Sequence, residues 1–313
     1  MAQDLTLSTR AQAALYGFST RFQTGMRTSP SWWRRFATEI PSDSEREIHA
    51  WIELIPGFTK WKDERKFHSI GSADYSLLNE DYAAGIRVPR NKVEDDKLGL
   101  YAHNAEMLGM QAAKFPDRQC ALLLKNGHTS GAAYKCYDGK PFFATDHPKS
   151  VNGQVSGTFS NYRTSLALTP ANFNTAYAAM QAFPGPDGEV MGITATRLSV
   201  PPALRATALE IADNAALIIG NAGGTAAASN VNAGLVEVEV IPELAGADTT
   251  WYLGCHSWPI QPLIVQVRQM PGFDEIAGLQ SEHCKLKKEL LYGSDGRFAF
   301  GYSFPHLMIK AVA

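Results

Sequence analysis

The sequence predicts an α+β fold, and three observations carry that reading. Apolar residues recur at three- and four-residue steps in several segments, as one face of a helix requires. Other segments alternate apolar with polar residues, or cluster Val, Ile, Trp and Tyr between turn residues, as strands do. The two kinds of segment follow no regular βαβ order, which disfavours the parallel α/β classes. With 313 residues, 45% of them hydrophobic, the chain is long enough to bury a sizeable core in one elaborate domain or two smaller ones.

Taken in order, Ala11, Leu15, Phe18, Phe22 and Met26 stripe one face of a first helix, with Ser8 or Thr9 placed to cap it. So thin a stripe suits either an arm lying on a neighbour or a terminal helix packed on its own domain. Residues 47 to 92 mix charged and aromatic residues around Pro56-Gly57, Gly71 and Gly85, as a long two-stranded excursion does. Alone it would be poorly stable, so it is expected to rest on something. Glu94, Asp95 and Asp96 sit where a helix start favours negative charge, ahead of a stripe of Leu98, Tyr101, Ala105, Leu108 and Ala112. Pro116 is expected to end that helix, and Cys120, Leu123 and Leu124 to continue on a second one that stops near Gly127.

Residues 127 to 165 read as loop. Thr169-Pro170 reads as N-cap and first residue of a helix with Phe173, Tyr177 and Met180 inside. Leu198-Ser199-Val200 is a short strand closed by Pro201-Pro202, then a helix is expected from Leu204 to Ile219 and a mobile loop from Gly220 to Gly234. Val236, Val238 and Val240 alternate with Glu237 and Glu239 as a half-exposed strand. Trp251 to Leu253, Leu263 to Val267, Phe298 to Phe300 and Leu307 to Ile309 add further strands.

Composition narrows the function. The formal net charge is -2, without the basic face a nucleic-acid wrapper carries. The first thirty residues lack the apolar run of a signal peptide, and no apolar run approaches the ~18 residues of a membrane span. Cys120, Cys136, Cys255 and Cys284 form neither a disulfide framework nor a CxxC zinc pattern, so buried free thiols are expected. Glu94-Asp95-Asp96 point different ways on a forming helix and suit capping or a contact better than a cation. Asp138, Asp146 and His147 invite an acid–base or metal-hydrolase reading, but no nucleophile elbow accompanies them and His147-Pro148 reads more simply as a turn. Trp32-Trp33 beside Arg34-Arg35 suits a protein interface anchor better than a nucleic-acid contact. The expectation is therefore no enzyme, no metal and no cofactor.

A longer ordered series then stands out. It runs through Trp51, Pro56-Gly57, Trp61, Arg65, Tyr75, Asn79, Val88-Pro89-Arg90, Glu94-Asp95-Asp96 and Leu98-Gly99-Leu100-Tyr101. It continues through Pro116-Asp117, Leu122-Leu123-Leu124, Tyr137-Asp138-Gly139, Phe142-Phe143, His147-Pro148, Leu198 to Pro202, Val236 to Leu244, Trp251-Tyr252-Leu253 and Pro262-Leu263-Ile264. This series resembles the major head subunits of Mu-like phages. The resemblance implies the Hong Kong 97-like capsid fold: an N-terminal arm at 1–46, an extended two-stranded loop at 47–92, a peripheral domain with its spine helix at 93–167, an axial domain at 168–268, and a return to the peripheral domain at 269–313. It implies a major capsid protein that self-assembles into an icosahedral head, resident in the virion and, during assembly, in the host cytoplasm. The implied partners are further copies in hexameric and pentameric capsomers, a scaffold or protease and a portal during assembly, a decoration protein, and packaged double-stranded DNA held without sequence preference. An encapsulin-type nanocompartment shell is the alternative on the same fold. The excursion's aromatics, Trp51, Trp61, Phe67, Tyr75 and Tyr82, exceed what one hairpin can cover and are expected to contact an adjacent subunit. Arg65 and Arg90 are expected to pair across that contact with Glu94, Asp95 and Asp96.

Overall fold

The computed structural model describes residues 7–49, 75–95, 99–149, 156–214, 216–221 and 224–313. Helix α1 is Leu7–Thr28, so Ser8 and Thr9 lie inside its first turn instead of capping it. Its apolar stripe is the expected one: Ala11, Phe18 and Phe22 are buried, with Leu15 and Met26 at the margin. The helix packs along a long helix of the same chain, α3, which follows the short α2 (Arg90–Glu94) and spans Gly99–Asn126. Glycines make this approach possible. A Cβ on Gly25 would stand 2.1 Å from the Glu106 carbonyl oxygen, and one on Gly109 2.1 Å from that of Phe22.

Pro116 does not end α3, contrary to the sequence reading; one helix runs through it. A proline inside a helix removes a main-chain donor and costs ~3 kcal/mol. The residues beyond it offset that cost. Cys120, Ala121, Leu123 and Leu124 are buried against Trp33, Phe36 and Phe143. Asp117, next to the proline, accepts from Ser31 Oγ and Trp32 N at 3.0 Å each and from Trp33 N at 2.8 Å. Burial raises the pKa of this carboxyl, and the three donors offset part of the rise. The Trp32-Trp33 pair is thereby core, not the interface anchor expected of it: Trp32 is 7% and Trp33 1% exposed. Asp117→Ala strands these donors and is expected to lower the unfolding free energy by about 3 kcal/mol, since a buried unpaired donor costs about 1–3 kcal/mol. Asp117→Asn, which keeps an acceptor, should retain most of it. Urea unfolding of unassembled subunits checks both.

Two five-stranded sheets organise the rest. In the first, Glu289–Tyr302 is the long central strand. Leu263–Gln269 and Asp274–Ala277 pair antiparallel along one side of it, Glu80–Pro89 pairs antiparallel along the other, and Ala37–Pro41 adds parallel to Leu263–Gln269. In the second the order is Glu237–Val240, Arg197–Val200, Thr250–Gly254, Met308–Val312 and Tyr162–Arg163. Every residue of Thr250–Gly254 is buried, as a central strand covered on both faces requires. The tail therefore divides: Glu289–Tyr302 serves the first sheet and Met308–Val312 the second.

Helix α4 (Pro170–Gln181) starts as its sequence indicates, with Thr169 Oγ1 accepting from Asn172 N at 3.2 Å. Helix α5 is only Arg205–Ala212, shorter than expected. Beyond it, Ala216–Asn221 and Gly224–Ser229 pair as an antiparallel hairpin where a helix end and a loop were expected. Two successive isoleucines suit a strand better than a helix, and Asn230 helps to stop α5 by donating to the Ile211 and Asn214 carbonyls at 2.9 and 2.7 Å. His147-Pro148 is likewise not a plain turn but a short strand paired with Thr158–Phe159. A last short helix, α6, is Glu282–Lys287.

Both sheets grip the C-terminal end of α3. Tyr302 of the first sheet donates to the Leu123 carbonyl at 2.9 Å, and Tyr252 of the second to that of Leu124 at 3.0 Å. Lys310 Nζ donates to the Lys125 carbonyl at 2.6 Å. The second sheet thus satisfies the Leu124 and Lys125 carbonyls that the helix end leaves unpaired, and the first adds a second donor to that of Leu123, which Gly127 N already meets at 2.8 Å. Burial lowers the Lys310 pKa to about 8.

Candidate functional site around His49 and Tyr75

The expected contact residues separate by place. Trp51, Trp61, Arg65, Phe67 and Asp96 lie outside the described residues. Glu94 is the last residue of α2. Asp95 is exposed, its amide donating to the Asn91 carbonyl at 2.9 Å. Arg90 is half-buried, its amide bonded to the Lys288 carbonyl at 2.8 Å. Tyr75 and Tyr82 turn to their own chain. The Tyr75 hydroxyl accepts from Tyr302 N at 2.8 Å, and burial raises its pKa. Tyr82 packs its ring 4.5 Å from that of Phe115 and donates to Glu80 at 2.8 Å.

Of the residues that meet here, the sequence pointed to Tyr75 and Asn79 and to none of His49, Gln266, Ser42 or Glu47. The chain reaches residue 49 on the strand Arg46–Ile48 and is described again from Tyr75, leading into Ser76–Leu78, and these two strands pair antiparallel. His49 N donates to the Tyr75 carbonyl at 2.7 Å, closing the root. Beneath it lies a buried polar network. His49 Nε2 meets Gln266 Oε1 at 2.9 Å, Gln266 Nε2 donates to Asn79 Oδ1 at 2.9 Å, and Asn79 Nδ2 donates to Ser42 Oγ and to the Ser44 carbonyl at 2.9 Å each. Burial lowers the His49 pKa, with the Gln266 contact and the Glu47 charge opposing the shift. Glu47 accepts from the Ser44 and Ser42 hydroxyls and from the amides of Asp43 and Ser44, which lower its pKa to about 2. A network this fully paired fixes one geometry, because any shift leaves a buried polar group unsatisfied. A further trace in the sequence is Gln266, a lone polar residue in the apolar run Leu263 to Val267.

Beside the root, Glu80–Pro89 presents an edge with no strand partner among the described residues. Glu80, Asp81 and Arg87 line it, and two ion pairs, Arg297–Asp81 at 2.6 Å and Arg87–Glu289 at 3.5 Å, tie it to the central strand. Charged residues on an open edge guard against indiscriminate pairing. Of the acid–base candidates, Asp138 and His147 do meet, at 2.6 Å, whereas Asp146 points away to an ion pair with Lys140. No helix among the described residues is long and apolar enough to cross a membrane.

With this geometry in view, the chain matches the family described as Mu-like prophage major head subunit gpT over residues 11–167, 161–244 and 242–312. The chain belongs to that family. It is 35% identical over 147 residues to the Mu-like prophage FluMu major head subunit of Haemophilus influenzae, covering 47% of this chain and 46% of that one. It is 30% identical over 163 residues to the major capsid protein of Escherichia phage Mu, covering 52% of each. The aligned region thus spans about half the length of these curated relatives. Among solved structures, a subunit of the procapsid of bacteriophage JBD30 superposes with a TM-score of 0.59 at 23% identity, over 96% of this chain and 74% of that one. The fold is the Hong Kong 97-like capsid fold, in its α+β form, as the sequence resemblance implied.

Proposed function

We propose that the chain is the major subunit of a phage head, assembling with copies of itself into five- and six-fold rings that close into an icosahedral shell around double-stranded DNA. The observation that carries this is the match to one head-subunit family along nearly the whole chain. Near-neutral charge supports it, since every phosphate contacted raises DNA affinity and a shell must release its genome. A scaffold or protease, a portal and a decoration protein belong to the same reading as assembly partners. Rings need heterologous contacts, in which one patch meets a different patch. Electron microscopy of the purified protein under head-assembly conditions is expected to show closed particles with five-fold vertices. Monodisperse monomers in solution scattering under the same conditions would overturn it.

The contact residues proposed for those rings are Trp51, Trp61, Arg65 and Phe67, with Arg90 and the acids Glu94, Asp95 and Asp96 near the root. The rigid network below His49 supports this, because a segment that reaches a neighbour needs a fixed base. Tyr75 and Tyr82 serve that base. Charge pairs at such a contact set register more than strength. Arg65→Glu is expected to reduce particle yield about tenfold, equivalent to about 1.4 kcal/mol per contact, while the subunit's circular dichroism stays unchanged. Normal heads from that variant would remove Arg65 from the contact.

A further inference from the structure

The meeting of Asp138 and His147 extends to a third residue. Cys136 Sγ lies 2.8 Å from Asp138 Oδ1, and His147 Nδ1 lies 2.6 Å from Asp138 Oδ2. The three ligand atoms fall within 4.8 Å of one another. Cys136 is 3% and His147 0% exposed, and the Asp138 side chain is 2% exposed. The turn that carries Cys136 and Asp138 is well braced: Cys136 N donates to the Lys140 carbonyl at 2.9 Å, Gly139 N to that of Cys136 at 3.0 Å, and Lys140 N to Asp138 Oδ1 at 3.0 Å. Gly139 adopts φ 77, which glycine alone takes without strain. His147 is placed by its pairing with Phe159, whose ring stacks on the imidazole at 5.2 Å.

The imidazole's second nitrogen makes the arrangement informative. Nε2 lies 3.2 Å from the Phe142 carbonyl oxygen, which can only accept, so Nε2 carries a hydrogen. A neutral imidazole then has a bare lone pair on Nδ1, aimed at a carboxylate. Something positive must lie between them. A proton there makes either a buried imidazolium–carboxylate pair, which is expensive to desolvate, or a neutral carboxylic acid donating to Nδ1. A dication there makes a neutral centre, because the Asp138 carboxylate and a Cys136 thiolate together carry two negative charges. A histidine that gives its far N–H to a main-chain carbonyl and its near nitrogen to a carboxylate-flanked centre has the outer-shell pattern of metal-ligating histidines.

We propose that Cys136, Asp138 and His147 bind one zinc-class dication. Binding releases the thiol proton and the Nδ1 proton to solvent and forms M–S, M–O and M–N bonds of about 2.0–2.3 Å. Cys136 Sγ and His147 Nδ1 touch different oxygens of Asp138, so one metal draws both onto a single carboxylate oxygen or takes the carboxylate through both. The fourth position is left to water. The site braces the Tyr137–Gly139 turn against the Phe159 strand, beside the core. It goes against the sequence expectation of no metal, which rested on CxxC and spaced His patterns; Cys-x-Asp with a histidine nine residues beyond the aspartate matches neither.

The test uses untagged full-length protein, grown with zinc and dialysed without chelator. Elemental analysis is expected to find about one zinc per chain. Replacement by Co²⁺ alone should give a thiolate-to-cobalt charge-transfer band and tetrahedral visible bands. Cys136→Ser keeps a hydroxyl for Asp138, and so keeps the turn, but should abolish the charge-transfer band; His147→Gln should weaken Co²⁺ binding at least about tenfold. Natively folded wild-type protein that holds no zinc and gives no cobalt bands would overturn the proposal, leaving a protonated ion pair. A charge-transfer band that survives in Cys136→Ser would overturn it as well, by assigning the cobalt to another thiol.

Discussion

Replacing Asn161 by alanine is expected to cost the subunit about 4 kcal/mol of unfolding free energy. Asn161 is fully buried and fixes three segments at once. Its Nδ2 donates to the carbonyls of Phe142, Pro305 and Met308 at 2.7, 2.9 and 3.2 Å, and its Oδ1 accepts from Ala144 N at 3.0 Å. Alanine leaves the Ala144 amide and these carbonyls without their partner in a site where each buried unpaired group costs about 1–3 kcal/mol. A void the size of the amide adds to the loss. Asn161→Asp should be no better, because it turns an oxygen toward three carbonyl oxygens. Denaturant unfolding of unassembled protein measures both. A loss below about 1 kcal/mol, the net value of one ordinary hydrogen bond, would show that the site relaxes around the gap.

The second large effect is acid sensitivity through His256. This ring packs edge-on to Phe36 with centroids 4.7 Å apart, and its Nδ1 meets Gln261 Oε1 at 2.7 Å. Burial lowers its pKa to about 4, the Gln261 contact opposing and the Arg197 guanidinium adding to the shift. Glu237, which pairs with Arg197 at 2.6 Å, pulls weakly the other way. An unfolded histidine titrates near 6.5. Between about pH 6.5 and 4 the unfolded chain therefore binds more protons, and stability rises with pH. The contribution is complete above about pH 6.5 and lost as the pH falls toward 4, up to about 3 kcal/mol at 1.36 kcal/mol per unit. The loss falls where Arg35, Arg197, Glu237 and Glu239 join the Trp33–Arg35 turn to the second sheet. His256→Phe keeps the ring on Phe36, gives up the Gln261 bond at about 1 kcal/mol near pH 7, and should flatten the acid limb. An acid limb unchanged in that variant would assign the sensitivity to other groups.

The two effects share a cause with the polar network below His49. In each, a buried polar side chain is held by hydrogen bonds, so its geometry is fixed and a change of partner or charge there carries a cost. For a subunit proposed to repeat around five- and six-fold axes, such fixed joints place its edges reproducibly. The open Glu80–Pro89 edge and the His49 root lie at that kind of joint.

What the sequence determined by itself was everything governed by near neighbours. Thr169-Pro170 starts α4 because a cap needs only the next three residues, and Phe18 and Phe22 face inward because a helix repeats on its own period. The alternation at Val236 to Val240 placed a strand, and the ordered series of motifs placed the chain in its family. Tertiary structure alone decided the rest. α3 passes Pro116 because Asp117 binds amides 84 and 85 positions away, an energy no local rule contains. Trp32-Trp33 became core for the same reason, and a predicted loop became the Gly224–Ser229 strand because a facing strand completed its hydrogen bonds. Asp138 and His147 stand out along the chain only as acid–base candidates without a nucleophile, and Cys136 and Asn161 do not stand out at all. Their chemistry arises where the folded backbone brings them within bonding distance, because an unpaired polar group out of water costs more than local propensities can supply.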